Sequence, residues 1–370
     1  MKNPLLQKDY TDRKDPKEYP IRGDYFRDQT AIIHSMPFRR LKHKTQVFFS
    51  PENDHVCTRI EHVLHVATIA ATICKGLNNK GWSLNPEMAY AIGLGHDIGH
   101  SPFGHAGETV LNRKLKADFQ FIHEVHSLRV VDKLCNHGLG LNLTYGVRDG
   151  MVNHNGEVLL QSLKPTITKN ILEEIHDRSS LPSSFEGCVV RFADKIAYLG
   201  RDIEDALIAD FITLSQIPEK IRDEIGSSNG EIINNLIIDI IRTSENLDEI
   251  KLSDEMFDKV SILQSFNYKY IYGHPIISKY KDMGENILEE LFDYLLDLYS
   301  NKGIVLENYA NSYSELENHF GRYIDNYKNV YEAEGLIPKR IVCDFIAGMT
   351  DGYALNAYKQ IKIPKPIKFK

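Results

Sequence analysis

Apolar residues recur at intervals of three and four through most of this 370-residue chain from Asp28 onward, while alternating, strand-like runs are few and short. That interval is the turn of an α-helix, so the chain reads as mainly α. Val63, Val66, Ala67, Ala70 and Ile73 make one such stripe, Leu236, Ile237, Ile240 and Ile241 a second, and Ile287, Leu288, Leu291, Leu295 and Leu298 a third. Each stripe needs a neighbouring element to cover it, and a packed helical assembly supplies one. Loops are expected at 78–81, 137–140, 149–156 and 179–184, where Gly, Asn, Ser or Pro collect. A polar break at 226–230 separates a histidine-rich first part from a second part rich in Tyr and acidic residues. We therefore expect a core over 1–225, a helical lobe over 226–358 and a basic tail over 359–370. In the tail KQIKIPKPIKFK alternates lysine with apolar residues and carries two prolines, the pattern of an extended, solvated segment.

Composition excludes several classes. Lys and Arg number 44 against 51 Asp and Glu, a net charge of −7, so the chain as a whole is no electrostatic sleeve for nucleic acid. Cys57, Cys74, Cys135, Cys188 and Cys343 are scattered without a CxxC pair, which argues against a disulfide scaffold or zinc ribbon. The longest apolar stretch, Val63 to Cys74, is interrupted by His65 and falls short of the roughly 18 residues of a membrane span. The expected setting is cytoplasmic, with no membrane partner.

Histidines concentrate between residues 34 and 137, and most densely in GHDIGHSPFGH over 95–105. The apolar run Met88 to Leu94 puts His96 and Asp97 at a helix end, where one imidazole and one carboxylate can reach a single divalent cation. Taken alone, the pair reads equally well as a helix-terminal histidine with a capping aspartate. His62 shares a helical face with Val66, Ile69 and Ile73 and so points inward. On the expected helix over 185–208, Asp194, Tyr198, Arg201, Asp202 and Asp205 form a polar stripe opposite Phe192, Ile196, Leu199, Ile203 and Leu207.

The order His62, His96-Asp97, Asp194 resembles the HD superfamily of metal-dependent phosphohydrolases. PFRRLKHKTQVF (37–48), RIEH (59–62), HDIGHSPFGHAGE (96–108), FIHEVHS (121–127) and FADKIAYLGRDIEDAL (192–207) narrow the resemblance to the deoxynucleoside triphosphate triphosphohydrolases, the branch of bacterial dGTPase and the vertebrate HD-domain dNTPase. The resemblance implies an HD-domain helical fold with an additional C-terminal helical lobe. It also implies one divalent metal (Mn, Mg or Fe) on His62, His96, Asp97 and Asp194, and hydrolysis of dNTPs to deoxynucleoside and tripolyphosphate. It assigns catalysis to His105, Glu108 and His123, phosphate contacts to Arg59, Lys195 and Tyr198, and deoxyribose selection to Gln46, Asp202 and Tyr272. His105 and Glu108, three apart at an expected helix start, would share a face, the carboxylate charging the imidazole.

Expected partners are a dNTP substrate, a second dNTP as activator, further copies of the chain in a homo-oligomer, and a weak single-stranded nucleic-acid contact. The chain departs from the pattern at Val63, His65 and His126, and at Gln264, where the vertebrate enzyme has a phosphate-binding arginine; Lys269 or Lys279 would then complete the triphosphate clamp. The alternatives are an HD phosphohydrolase acting on a monophosphate or cyclic phosphodiester, and a nucleotide- or oligonucleotide-binding protein on the same scaffold.

Overall fold

Nearly every apolar stripe folds into a helix in the computed structural model, which describes residues 1–17, 21–49, 56–115, 118–155, 158–310, 312 and 314–363. The first long helix, α1 (Asp24–Ile33), leads to α2 (Arg59–Asn78), α3 (Pro86–Gly95), α4 (His105–Leu115), α5 (His123–Arg129) and α6 (Tyr145–Val152). After a long connection come α7 (Phe185–Leu199) and α8 (Arg201–Ile208), then α9 (Asn229–Ser244) and α10 (Asp254–Asn267). The chain closes with α11 (Pro275–Lys302), α12 (Glu315–Asn326), α13 (Pro338–Ala347) and α14 (Asp351–Lys362). One sheet is present among the described residues, an antiparallel pair of β1 (Ser162–Leu163) and β2 (Ile250–Lys251).

Helix starts follow local chemistry. Glu61 accepts the backbone N–H of Thr58 ahead of α2 at 2.8 Å, Asn85 caps α3 with Pro86 at its first position, and Ser184 caps α7. By length and hydropathy α2 could cross a membrane, but its apolar faces are buried under α3 and α7. Its crossing with α3 requires Gly93, where a Cβ would stand 2.6 Å from the Ala67 Cα.

Two apolar clusters divide the interior, and they do not divide it at 226 as expected. Ile232, Leu236 and Ile240 of α9, with Val260 and Leu263 of α10, pack into the same cluster as α2, α3 and α7. The 226–230 break is thus a turn within one core. The second cluster forms around α11 to α14 and draws in Val110, Leu111 and Leu115 of α4. The helix expected over 185–208 is divided at Gly200 into α7 and α8. The basic tail is also corrected in part: Lys359 to Lys362 continue α14, a helix capped at its start by Thr350 and propagated past the Lys-rich boundary. The tail residues 364–370 lie outside the described residues.

Candidate active site

The end of α3, the turn 97–104 and one face of α7 meet on the start of α2, and the ligand candidates meet there. His62 Nε2 lies 2.9 Å from Asp194 Oδ1; His96 Nε2 lies 3.8 Å from the same oxygen and 3.7 Å from Asp97 Oδ1. His96 Nδ1 is 2.8 Å from the Gly93 carbonyl, so it carries the proton and leaves Nε2 with a lone pair. That buried Nε2 has no hydrogen-bond partner among the described residues. A buried lone pair facing carboxylate oxygens and a second imidazole is the environment a divalent cation satisfies, and the residues therefore fit the metal that the motif implies.

Burial disfavours charge on Asp97, but the Arg59 guanidinium, ion-paired with it, and the surrounding imidazoles hold it well below the usual carboxylate range. Asp194 is likewise held low, the His62 hydrogen bond and the His62 and His96 charges outweighing burial. Burial in turn lowers His96. The turn that carries Asp97 is fixed from α5: Ser127 Oγ donates to the His96 carbonyl at 2.7 Å and accepts from Gly99 N at 2.9 Å.

Behind the metal candidates stands a second polar array. His123 Nδ1 pairs with Glu108 Oε2 at 2.7 Å, and its Nε2 lies 3.3 Å from His154 Nε2. Burial opposes the charge on His123, but Glu124 and Glu108 push it up to about 9, while burial brings His154 down to about 4. His123 is therefore the proton donor to a neutral His154, whose Nδ1 is fixed on the Met151 carbonyl at 2.6 Å. Arg178 binds Glu108 at 2.7 Å and Glu124 at 2.8 Å. Burial would raise Glu108, yet His123, Arg178 and His105 bring it to about 2.

The expected His105–Glu108 pairing is present as an ion pair, and shorter bonds to other partners are added to it. Glu108 is 3.9 Å from His105 Nδ1 and gives its direct hydrogen bonds to His123 and Arg178, because α5 packs its first residue against the buried side of α4. His105 stands at the solvent side of the same pocket with 66% of its side chain exposed.

The pocket, about 430 Å³, joins these groups to a second, more aromatic end. His62, Asp97, His105, His123, Asp194, Arg59, Lys195, Tyr198, Gln46, Asp202 and Tyr272 all line it; Glu108 stands behind His123, and His96 beneath Asp194. Tyr272 Oη donates to Asp202, and Lys195 Nζ to Tyr198 Oη at 2.7 Å. Burial lifts Asp202 to about 7 against the opposing Tyr272 hydrogen bond. Gln46 Oε1 is buried without a hydrogen-bond partner among the described residues. Gln264 hydrogen-bonds Tyr198. Lys269 and Lys279 do not line the pocket, and Lys281, in the second turn of α11, does.

Sequence reasoning assigned no role to His100, Glu124, His154 or Arg178. His100 was visible inside the HDIGH motif; it is buried, stacks on His123 at 4.3 Å, and burial with Arg59 keeps it neutral. Glu124, His154 and Arg178 gave no comparable signal; His154 lies in a stretch expected to be a loop and Arg178 just ahead of another.

A helical fold with paired imidazoles and carboxylates at the end of α3 defines an HD-domain phosphohydrolase. Residues 59–199 match the HD domain family, and residues 250–360 match the phosphohydrolase-associated domain. Three relatives, each named deoxyguanosinetriphosphate triphosphohydrolase-like protein, are similar along almost the whole chain. That of Desulfatibacillum aliphaticivorans is 39% identical over 94% of this chain and 90% of its own length. The Clostridium perfringens protein is 37% identical over 94% and 90%, and the Caldanaerobacter subterraneus protein 36% identical over 95% and 89%. The chain belongs to this deoxyguanosinetriphosphate triphosphohydrolase-like family.

Proposed function

We propose that the protein hydrolyses deoxynucleoside triphosphates to deoxynucleoside and tripolyphosphate, working in the cytoplasm as a homo-oligomer open to activation by a second dNTP. The observation that carries this reading is the presence in one pocket of a cation-ready cluster and, at the other end, a buried unpartnered Gln46 Oε1 beside the Tyr272–Asp202 pair. An acceptor left bare inside a pocket calls for a donor from the ligand, and a sugar hydroxyl is one. Tyr272, flat and anchored to Asp202, would close the space that a 2′-hydroxyl needs.

His62, His96, Asp97 and Asp194 would hold a divalent cation such as Mn, Mg or Fe, which when bound supplies charge neutralisation at the α-phosphate. Arg59 and Lys195 bring fixed positive charge toward the phosphates, with Tyr198 oriented by Lys195. Water adds to the α-phosphorus and releases one proton, the bond to the 5′ oxygen breaks, and the leaving oxygen takes its proton from His105, which the proton released by the water restores. The His123–Glu108–Arg178 array keeps a charged, fixed wall behind that transfer.

The full-length, metal-loaded protein should be incubated with each dNTP, each ribonucleotide, a deoxynucleoside monophosphate and a cyclic dinucleotide, with products followed by phosphorus NMR. Tripolyphosphate from dNTPs alone is the expected outcome. Orthophosphate or pyrophosphate as first product, or turnover confined to the monophosphate or cyclic substrate, would overturn the reading.

A further inference from the structure

We infer that Asp351, at the start of the last helix, is a positioning residue that sets the distance between the two lips of the nucleotide pocket. The inference rests on the proposed reading of that pocket and brings the C-terminal end of the chain into it.

Asp351 is buried, and its two carboxylate oxygens are divided between two segments far from it in sequence. Oδ2 accepts the backbone N–H of Thr45 at 2.7 Å, and Oδ1 that of Phe103 at 2.9 Å. Thr45 precedes Gln46 on one lip. Phe103 precedes Gly104 and His105 on the other. One carboxylate thus spans the residue facing the sugar and the residue facing the 5′ oxygen.

The Phe103 side needs such a tie. Phe103 has φ of 59°, the left-handed region that a bulky side chain adopts only when its surroundings hold it there, and Gly104 follows with the same φ. Its ring packs against Gly284 of α11, where a Cβ would stand 2.9 Å from it. The Asp351 link is reinforced from the preceding turn. Lys44 donates to the carbonyls of Ala347 (2.8 Å) and His100, and Arg40 to that of Gly348 at 2.9 Å. The turn 347–351 therefore grips the 40–45 segment and the 100–103 turn together. A carboxylate is required because both backbone groups are donors: an amide offers one oxygen and turns an NH₂ toward the other N–H.

Asp351→Asn keeps the shape and breaks one link, Asp351→Ala breaks both, and Asp351→Glu retains two acceptors. On the full chain we would measure kcat and KM for a dNTP and its ribonucleotide, bound metal by elemental analysis, and amide hydrogen exchange over 42–48 and 100–108. Misplacement by about 1 Å costs on the order of 10²-fold. Asp351→Asn should therefore lose roughly 10- to 100-fold in kcat/KM for the dNTP and narrow its preference over the ribonucleotide. Metal content should hold, exchange should rise in both segments but not in α2, and Asp351→Glu should recover part of the loss.

A lowered melting temperature with unchanged nucleotide preference would make Asp351 merely structural and overturn the inference. Unchanged exchange in both segments would overturn it too. If wild-type protein turns over no dNTP, the functional reading fails separately, and the exchange of the two lips still decides whether Asp351 holds them. Should Asp351→Ala not fold, the Asn and Glu variants carry the test.

Discussion

Asp194 and Asp202 stand on successive helices, α7 and α8, and face one pocket, yet the structure shifts their acidities in opposite directions. Asp194 sits among imidazoles, 2.9 Å from His62 Nε2, and is kept ionised despite burial. Asp202 meets a tyrosine hydroxyl instead, and burial lifts it to about 7. Environment, not residue type, thus separates an anionic end that can take a cation from a less charged end that can take a sugar and base. The Gly200 break between the helices lets the two carboxylates point into different surroundings while remaining in one cavity.

If the two ends divide the work in this way, the harshest test is at Asp194. Asp194→Ala leaves His62 and His96 without their shared oxygen, so bound divalent metal should fall to background in elemental analysis and turnover should vanish with it, while Asp202→Ala should retain the metal. Full metal content in Asp194→Ala would break the division. His105→Ala should come next, with a loss of about 10²- to 10⁴-fold in kcat, equivalent to roughly 3 to 5 kcal/mol of barrier, and unchanged metal. A raised KM with unchanged kcat would instead make His105 a binding residue and move proton transfer to the His123 array.

The anionic end was more legible in sequence than the array behind it. His62 and Asp194 could be placed because each interrupts or opposes an apolar helical stripe, and His96-Asp97 because a glycine-rich turn ends an apolar run. Periodicity put Tyr198 and Asp202 on the stripe of Asp194, but resemblance alone joined Gln46 and Tyr272 to them, and the fold brings all four to one pocket. Spacing put Glu108 beside His105, where the ion pair stands, but could not show that His123 arrives from α5 and takes the shorter bond on the buried side. Arg178 escaped because its partners Glu108 and Glu124 are met only when the segment before α7 folds back over α4 and α5. The lobes were misdrawn at 226 for a similar reason. A polar turn looks the same in sequence whether it joins two cores or two helices of one, and α9 returns to the core that α2 began.

The Asp202 end allows a gentler test, through stability. Asp202 loses its proton near the ordinary 3.8 when unfolded and at about 7 when folded. Between those values the folded state holds more protons than the unfolded one, so this residue makes stability fall as pH rises from about 4 to about 7 and leaves it lower, by a constant amount, above that. Asp202→Asn removes the titration. The full difference would be roughly 4 kcal/mol at most. The amide oxygen still accepts from Tyr272, but its NH₂ needs a partner in a buried site, so a net gain of about 1 to 2 kcal/mol at pH 8 is expected, a few degrees in melting temperature. Melting temperatures of both proteins from pH 4 to 8 should cross, the variant lower at the acid end by the cost of its buried NH₂ and higher toward the alkaline end. A constant offset across the range would mean that Asp202 is ionised throughout, as Asp194 is, and the contrast between the two ends would lose its electrostatic basis.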